Sequence, residues 1–326
     1  MDLIRWHLYL NTQLIFNLVF TYGLEIVQPK QSNRVKLDLF QKTILKQILS
    51  LPINTPDHTA YILSGLLPVE AIIDIKCMTL FNNICRQPDN AIEKQLAMRQ
   101  LLNKSTDSRS WFINIKKILL KYEFSNINEL LTNPIKKSIW KSSVQREVEN
   151  LWTEKIRETA TWYPPLEHLN SKLYTPKLPH PIIDISKDLN PSRAAISIGV
   201  KLKIVTGTYP FRGSRAKYSN ISPICELCGE NDETLEHLLL ECKLLYAPRS
   251  EHLSIISDIL ASFDNLDSEI KVQMLTDCTK LRSTSIRLSR IAEQQLELNS
   301  RKMCYALHCI RTMSIIPRRK KVKRKR

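Results

Sequence analysis

Apolar residues recur along most of the chain at the spacing of an α-helix. In one segment the intervals between them are four, four, three and four residues, which places Val69, Ile73, Cys77, Leu80 and Ile84 on one face. The same periodicity predicts further helices at about residues 33–51, 107–122, 134–151, 190–205 and 284–313. The 326 residues include only six glycines, and tight hairpins use glycine, so a sheet-rich fold is disfavoured. The chain is therefore predicted to be all-α.

Prolines are concentrated between residues 163 and 191, where six of the sixteen occur. A proline-rich stretch is typical of a linker or an extended crossover, because proline cannot donate a backbone hydrogen bond. We therefore expect a helical region at 1–162, a linker at 163–191, a basic segment with a metal-binding insertion at 192–250, and C-terminal helices at 251–316. A disordered basic tail at 317–326 completes the predicted organisation.

Four residues, Cys225, Cys228, His237 and Cys242, form a pattern of metal ligands with the spacing C-x2-C-x8-H-x4-C. A C-x-x-C pair presents two thiolates from one tight turn, and Gly229 directly behind it permits the backbone bend. The histidine and the last cysteine lie in a segment with helical character, so they can reach one ion if the helix loosens or ends near Cys242. Three thiolates and one imidazole fill a tetrahedron without leaving a position for water, which predicts one structural Zn²⁺ ion.

The residues between the metal ligands are acidic, whereas the segment before them is basic. Six acidic residues and no lysine or arginine lie between Cys225 and Cys242, so this stretch is not expected to bind phosphate groups itself. Residues 189–224 contain six basic residues and no acid, and aromatic residues alternate with the last of them. Basic side chains interleaved with aromatic rings suit single-stranded nucleic acid. The predicted contact residues of this segment are Lys201, Lys203, Tyr209, Phe211, Arg212, Arg215 and Lys217.

A second interpretation stays open for the two aromatic residues in that set. Tyr209 and Phe211 could instead pack against the metal-binding segment, as aromatic residues in a loop often do. On either interpretation, we expect the zinc ion to hold the basic segment in place while that segment contacts the nucleic acid.

Most of the net charge of +16 lies in the last 48 residues, which hold fifteen basic and two acidic residues. Such an excess makes a polyanion the expected partner. The final run, including Arg318, Arg319, Lys320 and Lys321, is predicted to contact nucleic acid or to act as a nuclear-import signal. No stretch of eighteen apolar residues predicts a membrane span, and no secretory signal is expected. The eight cysteines lack a disulfide-framework pattern, which favours a reducing compartment, nuclear or cytoplasmic.

Other uses of cysteine and histidine are less consistent with the pattern. A redox function of the C-x-x-C pair is disfavoured because no βαβ pattern surrounds it. Cys304, His308 and Cys309 could form a second metal site, since residues 304 and 308 share a helical face. That trio lacks a fourth ligand, so packing is the simpler interpretation.

The sequence around the metal ligands resembles a known family. Thr206–Lys217, Cys225–Cys228 and Glu233–Cys242 are similar to the zinc-binding region that follows the reverse transcriptase of non-LTR retrotransposons. Segments such as Gly65–Glu70 look like the helical stretch that follows the polymerase palm in that family. The resemblance extends over about residues 20–250, and the ligand spacing is its most specific part.

The resemblance implies a zinc-binding helical region that holds template RNA or target DNA near a polymerase. Polymerase activity is not expected, because the family's catalytic Tyr/Phe-x-Asp-Asp turn has no counterpart and no Asp-Asp pair occurs in the chain. We therefore expect a non-catalytic fragment that binds RNA or DNA, with no membrane or small-molecule partner. A helical protein-interaction scaffold with a purely structural zinc ion, or a decayed copy without function, remain alternatives. A metal-dependent nuclease is disfavoured, since it would need an open coordination position and neighbouring carboxylates.

Overall fold

The computed structural model describes residues 20–124, 127–184, 191–284 and 286–323. In these residues the regular secondary structure is helical, and extended pairing is confined to isolated bridges. The α-helices are α1 (Leu24–Val27), α2 (Gln31–Ile48), α3 (Asp57–Ser64), α4 (Val69–Cys85), α5 (Ile92–Asn103), α6 (Trp111–Lys121), α7 (Ile127–Thr132), α8 (Lys137–Thr161), α9 (Pro191–Val205), α10 (Arg212–Ala216), α11 (Tyr246–Ile259), α12 (Ser268–Asp277) and α13 (Arg290–Lys323). The predicted all-α fold is confirmed.

The N-terminal core forms around α4, whose apolar face was evident in the sequence. Val69, Ile73 and Cys77 are fully buried there, against residues of α5 to α8. Trp140 of α8 is also buried, and its indole Nε1 donates a hydrogen bond of 2.9 Å to the Met78 carbonyl. This bond satisfies the polar edge of the ring, so the tryptophan is a core residue, as its helical spacing indicates.

The proline-rich segment 163–191 is packed into the fold wherever the structure describes it, and it is not an extended linker. Short 3₁₀ turns at Pro164–Leu166, Ser171–Leu173 and Pro181–Ile183 direct apolar side chains into a middle core shared with α2, α3, α8 and α9. Tyr174 is buried in this core and donates a hydrogen bond of 2.9 Å to the Leu66 carbonyl. Prolines therefore set the turns of this segment, but its apolar residues hold it against the neighbouring helices.

The C-terminal core joins α9, the candidate metal-binding segment (residues 225–242) and helices α11 to α13. Helix α9 contributes to two cores, because Ile198 and Leu202 face the middle core while Val200 and Ile204 face the C-terminal core. The middle core and the C-terminal core therefore lie against opposite faces of α9.

The last helix, α13, extends further than the sequence indicated. We expected it to end near residue 313 and the chain from 317 to be disordered, yet the helical backbone continues to Lys323. Lysine and arginine are good helix formers, so the basic run can prolong a helix that Pro317 was expected to end. No helix among the described residues is both long and apolar enough to span a membrane.

Candidate metal centre and basic segment

A tight hairpin turn presents the first two cysteines. The Cys225 amide donates to the Asn231 carbonyl at 2.8 Å, and a single antiparallel bridge joins Ile224 to Asp232. Inside this loop the Gly229 amide donates to the Cys225 carbonyl at 2.9 Å. Gly229 has a φ of +72°, a left-handed conformation that residues with a Cβ adopt only at a cost. The glycine noted in the sequence therefore closes the turn that holds both thiols.

A π-helical turn at His237–Glu241 places the other two ligands. The Cys242 amide donates to the His237 carbonyl at 2.8 Å, which is the i to i+5 bond of a π-helix. In a regular α-helix, residues five apart point in different directions, about 140° apart around the axis. The wider π turn ends at Cys242 and reduces this divergence. The expectation that the helix loosens or ends near Cys242 is thus confirmed.

The four ligand atoms of Cys225, Cys228, His237 and Cys242 lie within 4.8 Å of one another, so the group could hold one metal ion. Within this group Cys228 Sγ and His237 Nε2 are 3.4 Å apart. Metal–ligand bonds of about 2.0–2.3 Å give tetrahedral edges of about 3.3–3.8 Å. The widest separation therefore needs to contract by only about 1 Å when an ion binds. Three of the four residues are buried, and Cys228 is half-buried.

The thiols differ in how readily they lose a proton. Burial raises the pKa of Cys225, and burial together with the neighbouring Cys225 raises the pKa of Cys242 to about 12. For Cys228, hydrogen bonds from the Glu230 and Asn231 amides outweigh the raising effect of burial, and the pKa falls to about 7. A metal ion binds thiolates, so binding must displace protons from the two more deeply buried thiols. Metal affinity is therefore expected to increase with pH.

Two polar residues outside the ligand set orient it. The carboxylate Oε2 of Glu241 lies 3.4 Å from Nδ1 of His237, leaving Nε2 to face the thiols. Arg249 of α11 donates from Nη2 to the Cys242 carbonyl at 3.1 Å. Such outer contacts commonly fix the tautomer and direction of a ligating histidine, and a nearby cation compensates thiolate charge. The first contact joins residues four apart in the chain, the spacing of neighbours on a helix, whereas sequence spacing gave no indication of the second.

A buried ion pair attaches the metal-binding segment to the last helix. Glu233, one of the six acids of that segment, forms a two-point ion pair with Arg311 of α13, with Nη2 to Oε2 at 2.8 Å. The same carboxylate accepts a hydrogen bond of 2.8 Å from the Arg212 amide. Arg311 also donates to the Pro210 carbonyl at 2.9 Å and lies over the Tyr209 ring. This pair thus connects the metal-binding segment, the basic segment and α13.

Lys201, predicted to contact nucleic acid, is instead fully buried. Its side chain has no exposed surface, and its Nζ donates to the Leu275 carbonyl and to Ser300 Oγ, both at 2.6 Å. Glu297 lies 3.6 Å from the same nitrogen. Lys201 lies one helical turn before Ile204, which faces the C-terminal core, so the helical register directs its charge toward that core. The prediction for this residue is wrong.

The two aromatic residues of the basic segment also lie in the core. Tyr209 is 3% exposed and Phe211 is 5% exposed, and their rings are in contact at a centroid distance of 4.8 Å. The Tyr209 hydroxyl is hydrogen-bonded to His308 Nδ1 at 2.9 Å. The structure therefore supports the alternative interpretation, in which these rings pack against the metal-binding segment, and it corrects their assignment as nucleic-acid contacts.

The remaining basic residues of the segment differ in availability. Arg212 forms an ion pair with Glu226, and its Nε donates to the Ser222 carbonyl at 2.9 Å, so its guanidinium helps to hold the segment together. Lys203 is half-buried. Arg215 and Lys217 are exposed at helix α10 and its end. Tyr218 follows them with 91% of its surface exposed.

The other candidate residues lie near the C-terminus. Arg318, Arg319, Lys320 and Lys321 belong to the helical backbone of α13, and their side chains lie outside the described part of the structure. In the trio considered as a second metal site, Cys304 is buried in the C-terminal core and His308 is hydrogen-bonded to Tyr209. Among the described residues, the only group of three or more potential ligands that could hold an ion is the one at Cys225.

Comparison with known proteins adds no relative to this picture. No family model, no curated protein and no solved structure matches the chain. The function must therefore be inferred from the residues of the chain itself and from the geometry of the candidate metal centre.

Proposed function

We propose that the chain is a zinc-stabilised, non-catalytic module that binds single-stranded RNA or DNA. It would be a module of the kind that follows the reverse transcriptase of non-LTR retrotransposons. One observation carries the proposal: the basic helix α10 is bonded to the metal-binding hairpin while its outer face stays open. The Gly213 amide donates to the Glu233 carbonyl at 3.2 Å, and Arg212 is ion-paired to Glu226. Arg215 and Lys217 are thereby held at the surface beside the candidate metal centre.

Zinc is the proposed ion because of the donor set. Three cysteines and one histidine are soft and intermediate ligands of the type that zinc takes in closed tetrahedral sites. All four positions would be filled by side chains, so the ion would stabilise the hairpin and the π turn without activating water. In this proposal the polypeptide holds the four ligands in place and orients helix α10.

The proposed nucleic-acid surface is smaller than the sequence suggested. It consists of Arg215 and Lys217, with Tyr218 as a stacking ring, and it leaves out Lys203, which is half-buried on α9. Positive side chains would follow the phosphate backbone while the exposed ring stacks on a base, a combination that tolerates many sequences. For single strands, each neutralised phosphate contributes about −0.7 to the slope of log K against log salt concentration. Removing two contacts should therefore change this slope by up to about 1.4.

The test measures binding of the full chain to short fluorescent single-stranded RNA and DNA by anisotropy at several salt concentrations. The double variant Arg215→Gln and Lys217→Gln should bind more weakly and with a shallower salt dependence. The matched control, Arg86→Gln and Lys104→Gln, removes the same charges from exposed positions in the N-terminal helical region. It should change neither quantity as much.

The outcome distinguishes local contact from general attraction. Equal effects of the two double variants would reject α10 as the contact surface. Zinc content, measured on the same samples, should be unchanged in both variants, because neither touches a ligand. A loss of zinc in the first variant would show that α10 supports the metal site. Its weaker binding would then not demonstrate a direct contact between α10 and nucleic acid.

A protein-interaction scaffold is the second candidate function, favoured by exposed apolar side chains near the start of the described chain. Tyr22, Ile26 and Val27 are each at least 66% exposed on or beside α1. On that account the RNA binding in the same titration would be weak, indifferent to both double variants and absent at moderate salt.

The proposed location is the nucleus, reached through the basic run that ends the chain. A fluorescent reporter fused to residues 315–326 should accumulate in the nucleus, whereas a fusion in which the basic residues are replaced by glutamine should not. Equal distribution of the two reporters would reject this signal.

A further inference from the structure

Arg249 is a buried cation at the end of the first turn of α11. It is 4% exposed, and its Nη2 donates to the Cys242 carbonyl at 3.1 Å. The other terminal nitrogen, Nη1, is buried and has no hydrogen-bond partner among the described residues. No carboxylate in the described part of the chain forms an ion pair with this guanidinium, whereas Arg311, which is also buried, is paired with Glu233. The counter-charge of Arg249 is therefore to be sought elsewhere.

Both the burial and the position of this charge are unfavourable by themselves. A buried cation without a partner destabilises a fold strongly, because it gives up its hydration without an attraction in return. The helix dipole adds to this cost, since the N-terminal end of a helix carries a partial positive charge. A compensating negative charge is therefore expected close to Arg249.

The candidate metal centre supplies such a charge when it is occupied. Because Nη2 contacts the carbonyl of Cys242, the guanidinium lies within about 8 Å of the sulfur of the same residue. Among the ionisable groups around Arg249, Cys242 attracts it most strongly, followed by Glu241. The Glu241 side chain is 49% exposed and lies beside His237, so water screens its charge. With zinc bound, three thiolates and one divalent ion leave a net charge of about −1 at the centre.

Helix α11 is also attached to the centre through its packing. It begins at Tyr246, shortly after Cys242, and packs against both the π-helical turn and α13. Its Ile256 is fully buried in the C-terminal core, which also contains Leu238 and Leu239 of the π-helical turn. A charge imbalance at Arg249 therefore acts where the metal-binding segment joins α11.

We propose that Arg249 couples metal occupancy to the packing of α11, with the metal-bound thiolates as its counter-charge. In the metal-bound chain the guanidinium stabilises the negative centre and holds the first turn of α11 against Cys242. Without the ion the cysteines are not held as thiolates, so the same cation lacks a counter-charge and weakens the packing of that turn. This coupling rests on the proposed zinc centre and gives a defined function to a residue outside the ligand set.

The first measurement is the zinc affinity of the full chain, determined by competition with a chromogenic chelator. Arg249→Met should weaken zinc binding by about 10–100-fold, the usual effect of altering a residue that contacts a metal ligand. Arg249→Lys keeps the positive charge and should recover most of the lost affinity. The matched control is Arg157→Met in α8, since Arg157 likewise donates to a backbone carbonyl, that of Tyr174 at 2.7 Å. It should leave the zinc affinity unchanged.

Stability without the ion separates charge coupling from a purely structural role. After the metal is removed by a chelator, Arg249→Met should unfold at the same urea concentration as the unaltered chain or at a higher one, because it removes an unpaired buried cation. With zinc bound, the same variant should unfold at a lower urea concentration. Arg157→Met should lower the midpoint in both states. Amide hydrogen exchange across α11 should slow when zinc binds, and it should slow less in Arg249→Met.

The outcomes separate the coupling from the metal centre itself. Failure of the unaltered chain to bind zinc would reject the centre, and the coupling with it. Zinc binding by the unaltered chain and equally tight binding by Arg249→Met would reject the coupling alone. The coupling would also be overturned if Arg249→Met lost the same stability with and without zinc, or did not fold in either state, since Arg249 would then only hold the Cys242 carbonyl.

Discussion

The buried ion pair between Glu233 and Arg311 gives a sharp test of how the metal-binding segment is held. In the variant Arg311→Leu, the Glu233 carboxylate stays buried and keeps only the hydrogen bond from the Arg212 amide. Breaking a buried pair by removing one partner costs about 3–5 kcal/mol. The lost stacking of Arg311 over the Tyr209 ring, 5.2 Å from its centroid, adds about 1 kcal/mol. These losses are a large part of a typical unfolding free energy of about 5–15 kcal/mol.

A substitution of the other partner, Glu233, separates the effect of the charge pair from that of the remaining hydrogen bonds. Glu233→Gln keeps an acceptor for the Arg212 amide but leaves Arg311 without a counter-charge. The double variant Glu233→Gln and Arg311→Leu should be more stable than the sum of the two single losses predicts, by about 0.5–3 kcal/mol. The excess arises because the second change removes a charge that the first left unpaired.

The pair also has a predictable pH dependence. Burial alone would raise the pKa of Glu233, but its hydrogen bonds and attraction to Arg311 lower it below the ordinary value of 4.5. A carboxyl whose pKa is lowered by folding stabilises the fold above its unfolded pKa. This contribution is therefore complete above about pH 5 and is lost as the pH falls through the folded pKa. The Glu233→Gln variant should lack this part of the acid-induced loss.

The assay is urea unfolding, followed by circular dichroism for the helices and by tryptophan fluorescence. All five tryptophans precede residue 163, so fluorescence reports the N-terminal part of the chain. The variants should lower the dichroism midpoint more than the fluorescence midpoint, because Glu233 and Arg311 lie in the C-terminal half. A loss of stability below about 0.5 kcal/mol in Arg311→Leu, the range of an ordinary surface change, would show that the ion pair does not stabilise the fold.

Two further predictions concern the middle core and its border with the C-terminal helices. Gly65 has a φ of +65°, and a Cβ there would lie 2.2 Å from the Leu178 carbonyl oxygen. Gly23 has a similar φ but open space around it, so Gly65→Ala should destabilise the fold by several times as much as Gly23→Ala. Thermal melting compares the two variants, and equal losses of stability would contradict the close packing at Gly65. The His180 side chain is fully buried, and burial lowers its pKa despite Asp277 at 3.5 Å. The unfolded chain therefore takes up this proton first, stability should fall as the pH drops below about 6.5, and His180→Phe should reduce that fall in a pH series of melts. An unchanged slope in the variant would show that His180 does not contribute.

Local patterns in the sequence were sufficient to predict helices such as α4 and to find the four residues that could hold a metal ion. The apolar stripe that begins at Val69 predicted α4 because helical periodicity depends only on neighbours in sequence. The ligand spacing likewise depends on a turn and on a short helical segment. Even the need for a loosened helix between His237 and Cys242 followed from their separation, and the π turn provides it.

Features that depend on distant residues were not predictable in this way. Lys201 was judged by its charge, whereas its place on the inner face of α9 decided its burial. The proline-rich segment was judged by composition, which does not show that Leu166, Tyr174 and Ile182 reach a core built from other helices. The partners of the buried ion pair, Glu233 and Arg311, are 78 residues apart, and no local spacing connects them.

The metal content of the purified chain shows whether the Cys₃His group holds a structural zinc ion. We expect one zinc ion per chain after a chelator wash. The variant Cys228→Ser should lose it, whereas Cys309→Ser, which alters another half-buried cysteine, should retain it. A chain that carries no zinc after expression in zinc-supplemented medium, or a Cys228→Ser variant that retains as much zinc as Cys309→Ser, would show that this group is not a structural zinc site.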